Sequence, residues 1–130
     1  MWYNKIMPKQ KILIVEDEDL IAQSLTAQLG KEGFEVLRAE NGFEGLRESI
    51  KNQPDLILLD ILMPQMDGLS MLKKLREHEW GKNARVVLLT NLDDVENIAQ
   101  AAEYGASDYL VKSDWELEDV VRKIKEKLSD

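Results

Sequence analysis

The 130 residues include no cysteine. Disulfide staples, thiolate metal sites and catalytic thiols are therefore excluded. Histidine occurs once, at His78, between Glu77 and Glu79. Near a helix end and flanked by acids, it reads as a solvated residue rather than a ligand or base. No apolar stretch approaches membrane-spanning length. The opening stretch Met1–Gln10 lacks the continuous apolar core of a signal peptide, so the cytoplasm is the expected compartment. Basic residues are outnumbered, 17 against 25 acidic, for a net charge of -8. That balance disfavours direct contact with nucleic acid or an anionic membrane. It suits a domain that holds a divalent cation or docks a basic partner. Linkers, low-complexity runs and internal repeats are also missing. The chain is expected to be one domain, 11–130, behind an N-terminal tail, 1–10, in which Met7 is an alternative start.

What is present is a set of short apolar runs that end in polar chemistry. Leu56-Ile57-Leu58-Leu59 follows Pro54-Asp55 and ends at Asp60. A run of that length reads as a strand buried on both faces. Ile12-Leu13-Ile14-Val15 ends in Glu16-Asp17-Glu18-Asp19, Val86-Val87-Leu88-Leu89 ends at Thr90, and Tyr109-Leu110-Val111 ends at Lys112. Any one of these alone is commonly a solvated strand end. If the strands are parallel, however, one rim of the sheet gathers carboxylates, a hydroxyl and an ammonium, where open α/β sheets form their ligand crevice. Carboxylates bind hard cations, another carboxylate can be a nucleophile, and a hydroxyl with a lysine can hold a phosphoryl group.

Between the runs lie amphipathic stretches. The spacing predicts strands over Lys11–Val15, Phe34–Arg38, Asp55–Leu59, Arg85–Leu89 and Ser107–Val111. It predicts helices over Asp19–Lys31, from Asn41 as cap, from Gly68 to about Trp80-Gly81, from Asp93 or Asp94 to Gly105, and after Ser113 or Asp114 as cap. Five alternating pairs call for a parallel sheet covered on both faces. Phe34-Glu35-Val36-Leu37-Arg38 alternates with charge and fits an edge strand. Glu18 and Asp19 suit the first turn of a helix, which leaves Glu16 and Asp17 to face the cleft. On residues alone, Tyr109 reads as a strand aromatic packed in the core, Trp115 as an anchor for the last helix, and Lys123, Lys125 and Lys127 as a solvated basic rim.

From Lys11 to Leu128 the order of these motifs resembles the receiver (phosphoacceptor) domain of two-component response regulators, in its stand-alone, chemotaxis-regulator-like form. The resemblance implies a flavodoxin-like α/β fold with strand order 2-1-3-4-5. It implies that Asp60 is the phosphoacceptor and that Mg²⁺ is held by Glu16, Asp17, Asp60 and the backbone carbonyl of Leu62. Thr90 and Lys112 would contact the phosphate, Thr90 and Tyr109 would form the switch, and Leu62 and Leu92 would set the phosphate lifetime. Pro64 and Gly68 match the loop after the acceptor. The implied partners are a sensor histidine kinase or phosphotransfer protein and a downstream protein target. A phosphorylation-dependent dimer is among the outcomes the resemblance allows. Such a domain catalyses only its own phosphorylation and dephosphorylation. If the chain ends at Asp130 it acts by protein contact or as a relay intermediate; if not, an output domain follows.

Three positions depart from the family pattern. Glu16 stands for the commoner aspartate, Asn91 for a small residue, and Ser113 for a proline. Without that proline the Lys112–Ser113 bond is expected to be trans. Other classes fit less well. A phosphate-independent interaction module would not need the intact site. An aspartyl phosphatase of the haloacid dehalogenase type needs a second aspartate where Leu62 stands. A flavodoxin needs a phosphate loop that Glu16-Asp17-Glu18 would repel.

Overall fold

The computed structural model describes residues 8–63, 65–90, 95–113 and 116–129. In chain order the elements are β1 (Lys11–Val15), α1 (Asp19–Lys31), β2 (Glu35–Ala39), α2 (Gly42–Asn52), β3 (Leu56–Asp60) and α3 (Gly68–Glu77). A 3₁₀ turn (Trp80–Asn83), β4 (Val86–Thr90), α4 (Val95–Glu103), β5 (Asp108–Val111) and α5 (Leu117–Leu128) complete them. All strand pairs are parallel, in the order β2-β1-β3-β4-β5. β3 lies at the centre and every residue of it is buried; β2 is an edge, as its alternating charge implies.

Side chains of a strand alternate between faces, and this sorts the core into two clusters. Leu13, Val15, Ile57, Leu59, Val86 and Leu88 pack with Met71, Leu72, Leu75 and Ala101 of α3 and α4. Ile12, Ile14, Leu56, Leu58, Val87, Leu89 and Leu110 pack with Leu25, Leu29, Val120, Val121 and Ile124 of α1 and α5. The continuous apolar runs of β1, β3 and β4 are thus explained by helices on both sides.

Several local details differ from expectation. Strands β2, β3, β4 and β5 each begin one residue later than the predicted ranges, and β2, β3 and β4 also end one residue later, so Asp60 and Thr90 are the last residues of their strands. Asn41 caps α2 as expected, its side chain accepting from the Glu44 amide at 3.0 Å. The cap of α5 is Glu116, in a reciprocal box with Asp119, and not Ser113 or Asp114. A carboxylate at that position serves because it accepts an orphan amide of the first turn. Helix α3 ends at Glu77, before the 3₁₀ turn. His78 is its C-cap and is half-buried with Nδ1 enclosed, rather than solvated. Lys123 and Lys127 reach Asp108 at 2.9 and 3.4 Å and Lys125 reaches Glu32 at 2.6 Å, so the expected basic rim is paired with acids. No peptide bond among the described residues is cis, and Lys112–Ser113 is trans as expected. Pro64, the expected α4 caps Asp93 and Asp94, Asp114 and Trp115 lie outside the described residues.

Candidate functional site

Carrying the alternation to the strand ends decides which polar groups meet. Glu16 has the parity of Ile12 and Ile14, Asp60 that of Leu56 and Leu58, and Lys112 that of Leu110; all three leave the sheet on the α1/α5 face. Lys112 Nζ lies 2.9 Å from Glu16 Oε1, 3.2 Å from Asp60 Oδ2 and 3.5 Å from Glu18 Oε1. Glu16 and Asp60 are buried. Glu16 Oε2 accepts from the Glu18 amide at 3.1 Å, and Asp60 Oδ1 from the Leu62 amide at 3.3 Å. Thr90, also buried, follows Leu89, the register partner of Asp60, and its carbonyl accepts from the Lys112 amide at 2.7 Å.

The loop after β3 owes its path to Gly68. Its amide donates to the Ile61 carbonyl at 2.8 Å, and a Cβ there would run into the backbone carbonyl of Asp60. Asp67 caps α3 by accepting from the Ser70 amide at 2.8 Å. The chain therefore folds straight back on the strand end, which fixes the Asp60 backbone.

One ammonium faces two buried carboxylates, so charge is incompletely balanced. Burial, and then the charge of Glu16, push the Asp60 carboxyl up to about 8 despite Lys112. Burial works against the charge on Lys112, yet its contacts with Glu16 and Asp60 win and raise its pKa. Carboxylate oxygens of Glu16, Asp17 and Asp60 lie within 4.8 Å of one another. Glu16 Oε1 and Asp60 Oδ2 are buried with no hydrogen-bond partner of good geometry. Hard oxygen donors, excess negative charge and unsatisfied lone pairs together fit a small divalent cation.

The family comparison decides the class. The response regulator receiver domain matches residues 12–125. The chain belongs to that family. This receiver is 41% identical over 102 residues to the transcriptional regulatory protein SrrA of Staphylococcus aureus, covering 78% of this chain and 41% of that protein. The chain thus spans about two fifths of the length of that relative. A CheY-like response regulator receiver domain protein from Methanospirillum hungatei JF-1 superposes with a TM-score of 0.87 at 32% identity, over 94% of this chain and 95% of the other. The receiver domain of sensor histidine kinase PA1611 from Pseudomonas aeruginosa PAO1 has a TM-score of 0.85 at 25% identity, over 95% and 100%. Its crystal structure holds a magnesium ion in the active site cleft. The present chain is therefore a signalling receiver of two-component type with the flavodoxin-like fold. Among the described residues, no helix is long and apolar enough to cross a membrane.

Of the residues singled out from sequence, Glu16, Asp17, Asp60 and Lys112 come together, with Thr90 beside them. The Leu62 side chain is half-exposed, and Leu92 and Asn91 lie outside the described residues. Tyr109 is 45% exposed, which corrects the expectation of a core aromatic; β5 is an edge strand and its outer positions meet solvent. It shares the parity of Val111, the register partner of Thr90, so Thr90 and Tyr109 leave the sheet on the α4 face. Two participants were not foreseen. Glu18 contributes its carboxylate to Lys112 instead of capping α1, and Arg38 grips the β1–α1 turn. The signal for Arg38 was its alternation with Val36, which places it on the same face as Glu16.

Proposed function

We infer that this receiver takes a phosphoryl group from a sensor histidine kinase or phosphotransfer protein onto Asp60. The observation that carries the reading is the buried Asp60 carboxylate, held between an acidic cluster and the ammonium of Lys112. An Asp60 Oδ attacks phosphorus, the P–N bond of the donor phosphohistidine breaks, and its electron pair stays on the imidazole. Little covalent work falls to the protein; positioning and charge stabilisation dominate. Glu16, Asp17, Asp60 and the Leu62 carbonyl would hold Mg²⁺, which when bound neutralises charge on the phosphoryl oxygens and relieves carboxylate repulsion. Lys112 pairs with one phosphoryl oxygen and Thr90 donates its hydroxyl to another.

The acquired charge calls the Thr90 hydroxyl inward, and Tyr109 on the same face follows. The surface formed by α4, β5 and α5 then changes shape and signals to a protein partner, by docking or by dimerisation. Leu62 and Leu92 would guard the phosphoryl group against water. Because the whole chain carries a net charge of -8, the receiver domain, residues 11–130, signals through protein contact in the cytoplasm rather than by touching nucleic acid itself. Like its Staphylococcus relative, it would feed transcription through a linked or separate output. Its chemistry is limited to its own phosphorylation and dephosphorylation.

The test is intact mass after incubation with Mg²⁺ and acetyl phosphate. One phosphoryl adduct is expected on the native chain, none with Asp60→Asn, and none when the metal is chelated first. An adduct on Asp60→Asn refutes the assignment.

A further inference from the structure

We propose that Arg38 is a positioning residue for the acidic pair: its guanidinium fixes the peptide between Glu16 and Asp17 and so aims both carboxylates at the cation. This rests on the cation reading given above. Arg38 lies near the end of β2, in register with Ile14, and lines one surface groove with Ala22, Gln23, Thr26 and Ala27 of α1. Its Nε and Nη2 both donate to the Glu16 carbonyl, at 3.1 and 2.8 Å, while Nη1 pairs with Asp19 at 2.9 Å and approaches Glu40 at 3.7 Å. The Arg38 side chain is 23% exposed, against 69% for Asp19 and 63% for Glu40. The forked contact with the carbonyl is thus the sheltered part of the arrangement and the ion pairs are its wet rim.

The carbonyl of Glu16 belongs to the peptide that joins it to Asp17. The amide of Glu16 donates to the Ala39 carbonyl at 3.1 Å. β2 therefore holds Glu16 by its N–H through backbone and by its C=O through Arg38. Rotation of the Glu16–Asp17 peptide would swing both side chains, one buried against Lys112 and the other at the open end of the cluster. A planar fork can resist that rotation; a point-charge ammonium cannot. Groups behind the direct ligands commonly set how well a metal is held.

Charge and positioning make opposite forecasts, which separates them. Arg38 is a cation close to an anionic cluster, so if only its charge mattered, removing it would tighten cation binding. If it positions the turn, its loss loosens binding. The experiment is calorimetric titration of Mg²⁺ into the unphosphorylated full chain, Arg38→Lys and Arg38→Met, with melting temperatures in chelator as the folding control. Both variants should bind Mg²⁺ about tenfold more weakly than the native chain, the scale expected for a group behind the ligands. Either variant that folds suffices. Full affinity in either one, or tighter binding in Arg38→Met, overturns the inference while leaving the cation site intact. Absence of Mg²⁺ binding by the native chain itself would sink the cation reading and this inference together.

Discussion

Lys112 and Asp60 stand 3.2 Å apart at the end of the sheet, yet the pairing does not bring the aspartate into its ordinary range. The reasons are its burial first and the charge of Glu16 second, and the same ammonium is closer to Glu16, at 2.9 Å. The site is built with more negative charge than its one buried cation can satisfy. A proton on Asp60 or a further cation would relieve that imbalance, and it has consequences that can be measured.

The first concerns stability and pH. In the folded protein Asp60 keeps its proton up to about pH 8, whereas in the unfolded chain it releases it near pH 4. Between those values the folded state binds the extra proton, so stability falls as pH rises through the window and levels off above it. Asp60→Asn has no such proton, and Lys112 retains Glu16 as partner. In chelator at pH 8 the variant should be more stable than the native chain by about 1–3 kcal/mol, the scale of a poorly satisfied buried polar group. At pH 4 the gap should close. Urea unfolding at both values checks it; an Asp60→Asn chain no more stable at pH 8 would contradict the charge imbalance.

Replacing Lys112 by methionine should separate cation binding from phosphoryl transfer. Without the ammonium, Glu16 and Asp60 face each other unpaired, at a cost in chelator of about 3 kcal/mol, typical of breaking a buried pair. Added Mg²⁺ should recover much of that loss, because the acidic cluster is now more negative. Phosphorylation by acetyl phosphate should nonetheless stay low, since no group pairs with the phosphoryl oxygen. Thermal melts with and without Mg²⁺, alongside intact mass, distinguish the two roles. Native-like phosphorylation of Lys112→Met would remove the lysine from the proposed mechanism.

Gly68 offers a test of the loop behind the acceptor. Because a Cβ there meets the Asp60 carbonyl, and backbone cannot yield as a flexible side chain can, Gly68→Ala must displace the end of β3 or the start of α3. A destabilisation of about 1–3 kcal/mol is expected from such overpacking. Phosphorylation should fall more than the stability loss explains, because the displaced atom belongs to the proposed acceptor residue itself. A variant that matches the native chain in both respects would show that the loop has room to adapt.

The centre of this arrangement was legible in the sequence, and its periphery was not. Leu56–Leu59 before Asp60 reads as a buried strand ending at an acid, and four such endings on parallel strands converge on one rim of the sheet. Lys112 announced itself by following Tyr109-Leu110-Val111. Tyr109 could not be placed, because exposure on an edge strand depends on what packs beside it rather than on the residue. The lysines of α5 showed their period but not their partners: Asp108 and Glu32 are distant in sequence and arrive only through the fold. Arg38 was visible as a charge on an edge strand, but its contact is with a backbone carbonyl, which carries no sequence signal at all.

The lifetime of the phosphoryl group should be long. Hydrolysis needs a water aligned opposite the Asp60–phosphorus bond, and a polar side chain nearby to orient it. Leu62, two residues past Asp60, offers only a hydrocarbon surface and is half-exposed. Leu92, two residues past Thr90 in the sequence, has the same side-chain chemistry. Neither can polarise a water, and an apolar side chain beside the phosphoryl group would shield the approach. The double substitution Leu62→Asn with Leu92→Glu should therefore speed phosphate loss severalfold, while Mg²⁺ affinity, measured on the unphosphorylated protein, stays close to native. Following the phosphoryl adduct by intact mass after removal of the donor gives the rate directly. If the double variant loses its phosphate no faster than the native chain, the leucines do not govern the lifetime, and the burial of Asp60 itself becomes the barrier to water.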